Sequence, residues 1–474
     1  MISIENISDQ ISIDRINSLT IELEDKFNRV FKEDYNLTRK VVSFQANKQL
    51  PIYRWYKYKE AFSAEIVHYL FDKYDIENGK ILDPFAGVGT ALFASSDRGN
   101  NAYGIELLPI GQEIIKTRLY FAKNLQIAEI DRLRYWCSAK PWGASLQKKD
   151  FVVLRITNGA YAKETDEKIK LYLGAISKES PRVKQILFFA LLCVLEAISY
   201  TRKDGQYLRW DYRSNKTNGK GAFDKGDILN FDDAIVSKLK EILQDIENTD
   251  KPADLFAVKS DGNGEIILYD SSCLDQLPKL ADNIFSVIIT SPPYCNRYDY
   301  TRTYALELAM LGVNENDLRQ LRQKMLSCTV ENKEKDMLGI NPDWAIPLAT
   351  AGKQELLNEI LTYLEYLKTE GKLNNDGIAR MIKGYFYEMA CVIYECHRVL
   401  KNNGFFFMVN DNVKYAGVSI PVDTILSDIA CSLGFEVKDI LVLPSGKGNS
   451  SQQMGRHGRE GLRKCVYVWQ KRGL

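Results

Sequence analysis

The chain has 474 residues and a mass of 54.2 kDa, with 45% hydrophobic and 26% charged residues. That composition excludes disordered, collagen-like and low-complexity proteins. With 63 Lys and Arg against 62 Asp and Glu, the net charge is +1, so a polyanion partner must show itself through local basic patches. Nine scattered cysteines without a Cys-x-x-Cys, and only three histidines, argue against a disulfide scaffold and a zinc site. No metal is expected, and free thiols fit a reducing cytoplasm.

The first residues, Met1-Ile2-Ser3-Ile4-Glu5, lack the basic and apolar regions of a signal peptide. Residues 1–50 read as a polar helical extension. Residues 51–125 open a β-α-β unit: a helix over Ala61 to Tyr74, a strand over Gly79 to Pro84, a helix over Thr90 to Arg98 and a strand over Ala102 to Ile105. Residues 126–265 interrupt that rhythm with a β-like stretch at Phe151 to Ile156, an apolar helix at 181–200 and a Gly/Lys/Asn-rich loop near 214–226. The apolar run Ile186 to Ser199 contains Glu196 and falls short of the roughly 20 residues that span a bilayer, so no membrane partner is expected. The rhythm resumes over 266–310, with strands at Ile266 to Tyr269 and Ser286 to Ile289. A helical insertion follows over 311–375. Residues 376–474 hold an amphipathic helix at 381–400, a strand at Phe405 to Val409, a helix at Val422 to Leu433 and a hairpin-like end. Strands that alternate with helices and read continuously apolar predict an α/β fold, a parallel sheet with helices on both faces. Ligands of such sheets bind at the carboxyl ends of the strands.

Two motifs fall at those ends. Asp83-Pro84-Phe85-Ala86-Gly87-Val88-Gly89-Thr90 links a strand to a helix, and Glu106 closes the next strand 17 residues after Gly89. Glycines permit close backbone approach, and a carboxylate there can accept both hydrogen bonds of a ribose diol. A nucleoside-bearing ligand follows. Leu92 stands where a dinucleotide fingerprint needs a third Gly or Ala, and no Gly-Lys-Ser/Thr follows, which argues against a dehydrogenase and a Walker loop. The second motif, Ser291-Pro292-Pro293-Tyr294, ends a buried strand. Its prolines rigidify the loop and remove amide donors. Free acceptors, the Ser291 hydroxyl and the Tyr294 ring together suit a planar heterocycle with an exocyclic amine. Cys295 follows Tyr294 rather than a proline, which gives it no role as a nucleophile.

The two motifs together resemble the S-adenosylmethionine-dependent DNA amino-methyltransferases, which modify N4 of cytosine or N6 of adenine. The likeness covers about 55–125, 264–310 and 381–470. It implies a Rossmann-like methyltransferase core, and a Ser-first tetrad goes in that family with cytosine N4. It also implies S-adenosylmethionine as cofactor, bound by Phe62, Ser63, Asp83, Phe85, Gly87, Gly89, Glu106 and Asp270. Ser291, Pro292, Pro293 and Tyr294 become the catalytic residues, and the ring faces of Phe85 and Tyr294 suit a sulfonium cation. The target base must be flipped out of double-stranded DNA. Adenine N6 in DNA and an RNA amine stay open as alternatives. The resemblance suggests a restriction–modification role with a cognate endonuclease as partner, and leaves monomer and dimer open.

Two basic regions could meet the nucleic acid. Thr201 to Gly226 has net charge +4 with interleaved aromatics, and Ser445 to Leu474 has net charge +6. Basic side chains and aromatic faces suit phosphates and bases. The candidates are Arg202, Lys203, Tyr207, Arg209, Trp210, Arg213, Lys447, Arg456 and Arg459. The insertion 126–265 is expected to read the target sequence, and 311–375 to close over DNA.

Overall fold

The computed structural model describes residues 4–122, 125–204, 207–216, 223–247, 264–444, 447–448 and 461–473. One eight-stranded sheet organises them. Its strands are β1 (Phe31–Glu33), β2 (Lys80–Asp83), β3 (Asn101–Glu106), β4 (Ile266–Asp270), β5 (Phe285–Thr290), β6 (Leu400–Asp411), β7 (Phe435–Val442) and β8 (Lys464–Lys471), in the order β1-β7-β8-β6-β5-β2-β3-β4. Neighbours run parallel except at β8, which is antiparallel to both β7 and β6. An antiparallel neighbour needs only a return of the chain, whereas each parallel pair needs a crossover.

The continuous apolar runs are explained by burial on two faces. In β5, Val287 and Ile289 enter one core while Phe285 and Ile288 enter the other. In β8, Val466 and Val468 oppose Cys465, Tyr467 and Trp469 in the same way. Alternate side chains of a strand point to opposite faces, so helices must cover both. Helix Thr90–Ser96, buried at every position, lies against one core. Helix Ile378–Val399 fills the other. The expected doubly wound α/β sheet is therefore present, with strand and helix limits shifted by a few residues.

Within 126–265, helices Ile127–Ala139, Lys163–Ile176, Pro181–Ile198 and Phe231–Glu247 bundle together. Their Leu187, Phe189, Leu239 and Ile242 join the core that holds Ile81 and Val287. Two expectations are corrected. Phe151 to Ile156 forms no strand. No neighbouring strand offers it a ladder; the Leu154 amide is met by Thr157 Oγ1 at 2.9 Å, and Phe151 packs edge-on against Tyr161. Residues 1–50 are helical over Ile4–Phe27 but then supply β1, which pairs with β7 from Phe31↔Ile440 to Glu33↔Val442. That three-residue strand is too short and too polar to betray itself by periodicity.

The chain runs from β2 outward to β3 and β4, then returns to β5 on the other side of β2. Such a reversal opens a crevice above the carboxyl ends of the two central strands. The glycine loop leaves β2 there, and the Ser-Pro-Pro-Tyr tetrad leaves β5.

Candidate active site

The loop after β2 is shaped by close approaches. Gly89 has φ +79°, and a Cβ there would lie 2.8 Å from Ile115 Cγ1. Gly111, which the sequence pattern did not single out, lets the next helix approach so closely that a Cβ would meet the Gly87 carbonyl at 2.3 Å. Glu106 closes β3 beneath this loop. Its Oε2 accepts the Gly87 amide at 2.6 Å and its Oε1 the Leu108 amide at 2.6 Å. Burial pushes the Glu106 carboxyl up to about 8 despite those amides. Asp83, at the end of β2, accepts the Phe85 amide at 3.0 Å and the Thr290 hydroxyl at 2.6 Å. Burial pushes it up to about 7. The Asp83–Thr290 bond ties the end of β2 to the end of β5, and so one motif to the other.

In the tetrad, Ser291 Oγ lies 3.1 Å from Tyr294 Oη and 3.1 Å from the Val409 carbonyl on β6. Lys464 on β8 stands 5.5 Å from the centre of the Tyr294 ring and 3.6 Å from Asp411. Burial raises the Tyr294 hydroxyl and the nearby ammonium opposes that rise. The tetrad is thus braced by two further strands.

Between the motifs lies a cleft of about 790 Å³, counted out to its open mouth, within the usual range of ligand sites. Phe62, Asp83, Phe85, Gly87, Glu106, Ser291 and Pro293 line it. Ser63, Gly89, Asp270, Pro292 and Tyr294, expected at the site, are not in its lining. Ser63 is buried and donates to the Val41 carbonyl at 2.5 Å. Gly89 is turned into the packing beneath the loop. Asp270 points outward to an ion pair with Lys116, while the next residues, Ser271 and Ser272, reach the cleft.

Other lining residues were missed by motif reading. Tyr58 and Glu60 come from the segment before β2, Tyr300 from the helix after the tetrad, and Lys324, Met325 and Leu326 from the insertion 311–375. Glu60 accepts hydroxyls from Tyr298 and Tyr304, and the Tyr304 ring stacks on Tyr58 at 4.9 Å. The aromatic density of 53–58 and 298–304 was a usable signal; nothing marks 324–326 in the sequence.

The basic residues divide. Arg202, Arg209 and Arg213 are exposed on or beside the hairpin Thr201–Asp204/Tyr207–Trp210. Arg209 lies over the Phe223 ring at 4.0 Å, Lys216 over Trp210 at 4.1 Å, and Arg213 is bound by Asp211 at 2.6 Å. Lys203 departs from the expected phosphate contact. It is 4% exposed, and its ammonium pairs with buried Glu307 and meets Tyr56 Oη at 3.1 Å. Alternation along the strand turns it inward while Arg202 faces solvent. Arg456 and Arg459 lie outside the described residues, as do the side chains of Tyr207 and Lys447. Replacing Lys203 by Met is expected to cost about 3 kcal/mol of stability, because Glu307 is left buried without its counter-charge and keeps only the Tyr56 hydroxyl at 2.9 Å. Chemical denaturation measures it; a loss below about 1 kcal/mol would show that the pair is dispensable.

A doubly wound sheet with a nucleoside-type acidic strand end and a rigid acceptor loop facing each other at its reversal defines a Rossmann-like methyltransferase. No protein-family model matches the chain. It is 56% identical to the type II methyltransferase M.AvaI of Nostoc sp. over 464 residues, covering 97% of this chain and 94% of that one. An equal match is found to M.AvaI of Anabaena variabilis. It is 40% identical to the type II methyltransferase M.BsoBI of Geobacillus stearothermophilus over 476 residues, covering 95% of this chain and 92% of that one. The chain belongs to the type II DNA methyltransferases. No helix among the described residues is long and apolar enough to cross a membrane, and no group of three or more His, Cys, Asp or Glu among them could hold a metal ion.

Proposed function

We propose that the protein methylates the exocyclic N4 amine of a flipped cytosine at a specific site in double-stranded DNA, with S-adenosylmethionine as methyl donor, as the modification partner of a restriction endonuclease. The observation that carries this reading is Ser291, an acceptor on a donor-poor Pro-Pro loop, in the same cleft as Glu106. The cleft fits the cofactor. Glu106 retains lone pairs for a diol beyond the two amides it already accepts. The buried Thr90 Oγ1 in the lining has no hydrogen-bond partner among the described residues, and Gly87, which carries no Cβ, lines the cleft. All nine cysteines are free, which supports a cytoplasmic setting.

When bound, S-adenosylmethionine supplies an electrophilic methyl group on a cationic sulfur. The work of the chain is placement and electrostatics. Glu106 and the glycine loop hold the nucleoside end, and Phe62, Phe85 and Pro293 exclude water. Ser291 Oγ, donating to the Val409 carbonyl, keeps lone pairs for an amine hydrogen. The Ser291 and Pro292 carbonyls can accept the other. Hydrogen bonds of that kind draw the amine nitrogen from planarity and aim its lone pair into the cleft. A stacked base is out of reach, so the target must leave the helix. Arg202, Arg209 and Trp210 would meet the DNA backbone and bases. Arg209→Ala is expected to weaken DNA binding uniformly across sequences and to lower the salt slope by about one; an unchanged slope in a titration against salt removes Arg209 from the interface.

The direct test incubates the protein with methyl-labelled S-adenosylmethionine and unmodified duplex DNA, then identifies modified nucleosides by mass spectrometry. N4-methylcytosine is expected. N6-methyladenine would transfer the reading to adenine, and label in RNA alone would overturn it.

A further inference from the structure

The cleft wall that carries Tyr58, Glu60, Ala61 and Phe62 hangs from an unusual turn. Ile52 has φ 69° and ψ −50°, and the Tyr53 amide donates to the Pro51 carbonyl at 2.7 Å across it. This is the γ-turn of positive φ, which is rare and strained, and a β-branched residue is especially unfavourable there. Such a backbone persists only where its surroundings over-determine it. Two buried charged side chains do so here, from separate helices.

Asp245, 3% exposed near the end of helix Phe231–Glu247, accepts the Ile52 amide at 3.2 Å, Arg54 Nε at 3.1 Å and Trp55 Nε1 at 2.7 Å. Arg118, fully buried on helix Pro109–Ala122, donates to the carbonyls of Ile52 at 3.3 Å, Tyr53 at 3.2 Å and Val88 at 2.7 Å. The ring centres of Tyr53 and Phe93 lie 5.5 and 5.8 Å from its guanidinium carbon. Burial draws this guanidinium down to about 10, so it remains a cation at neutral pH. Val88 belongs to the glycine loop and lines the cleft. One planar fork therefore bridges the glycine loop and the segment that forms the facing wall.

We propose that Arg118 and Asp245 are positioning residues for cofactor binding: they set the separation of the two cleft walls, and Asp245 ties that separation to the insertion 126–265. The proposal rests on the cofactor reading of the cleft. Neither residue is in the cleft lining; both act through the backbone of 52–55 and, for Arg118, of Val88. Lysine cannot replace the fork, because a point charge on a flexible stem does not span carbonyls on two segments.

The test is calorimetric titration of S-adenosylmethionine into wild-type protein, Arg118→Lys and Asp245→Asn, with steady-state kinetics on duplex DNA. Each variant is expected to raise the cofactor Kd and KM about tenfold, while kcat at saturating cofactor stays within about twofold. Asp232→Asn is the structural control. It lies on the same helix as Asp245, gives up an ion pair with Lys168 at 3.2 Å while its amide oxygen can still accept Trp142 Nε1, and does not touch the wall, so its Kd should match the wild type. Wild-type Kd in both positioning variants, or equal weakening in Asp232→Asn, overturns the proposal. So does a loss confined to kcat. Should Arg118→Lys fail to fold, Asp245→Asn decides alone. Absence of binding by the wild-type protein would remove the cofactor reading itself, and this proposal with it.

Discussion

Replacing Ser291 by alanine is expected to lower kcat about a thousandfold, or about 4 kcal/mol of transition-state stabilisation, while the cofactor Kd changes by less than about twofold. The hydroxyl is the one side-chain acceptor that the tetrad offers to the cleft. Its geometry is set by two 3.1 Å contacts, to Val409 and Tyr294, neither of which involves the glycine loop. Truncation therefore removes an interaction that the target amine makes most strongly as its nitrogen becomes tetrahedral, and leaves the nucleoside end intact. The surrounding turn is held by two prolines, so collapse of the loop is not expected to add to the loss. Single-turnover methylation with saturating DNA, beside calorimetry of the cofactor, separates the two parameters. A variant within tenfold of wild-type kcat would assign the amine to the loop carbonyls alone. A matching loss of cofactor affinity would mean that Ser291 belongs to the cofactor half of the cleft.

The core was legible in the sequence because its signals are local. Phe285 to Thr290 is buried at five of its six positions, and the helix at Ile378–Val399 keeps a 3.6-residue period, so strand and helix are easy to tell apart. The carboxyl-end motifs were legible because prolines and glycines carry their conformational meaning with them. Other features depend on tertiary partners that no local pattern announces. Lys203 looks like a phosphate ligand until Glu307, 104 residues away, takes its charge. Asp270 looks like a cofactor contact until Lys116 draws it outward. Phe151 to Ile156 looks like a strand but finds no edge to join. Glu60, Tyr300 and Lys324 line the cleft from three separated segments, and only the fold brings them together. Local charge and alternation thus predicted where a side chain could point, whereas its partner decided what it does.

Replacing Glu106 by glutamine is expected to weaken cofactor binding several hundredfold, about 3.5 kcal/mol, the loss of two charge-assisted hydrogen bonds to the ribose diol. Glutamine is nearly isosteric but offers one acceptor in place of two. Its amide nitrogen would face either the Gly87 or the Leu108 N–H, each now donating at 2.6 Å, and would push the glycine loop from the ligand. The change should also alter the pH dependence. Burial holds the folded Glu106 carboxyl protonated up to about 8, and Asp83 up to about 7. Both values are raised above those of the unfolded chain, so the free protein gains protons on folding between about pH 4.5 and 8. Its stability is then greatest at the acid end of that window and falls as pH rises through it. Cofactor binding has the opposite sign. A diol needs the ionised carboxylate as acceptor, and a cationic sulfur favours both anions, so affinity rises with pH and levels off above about 8, with proton release at neutral pH. Calorimetry in buffers of different ionisation enthalpy counts those protons. In Glu106→Gln the release should shrink to the Asp83 share and the plateau should move down towards about 7. An affinity within threefold of wild type, or an unchanged proton count, would place the ribose elsewhere, and the acidic strand end would then be a support for the loop rather than the anchor of the ligand.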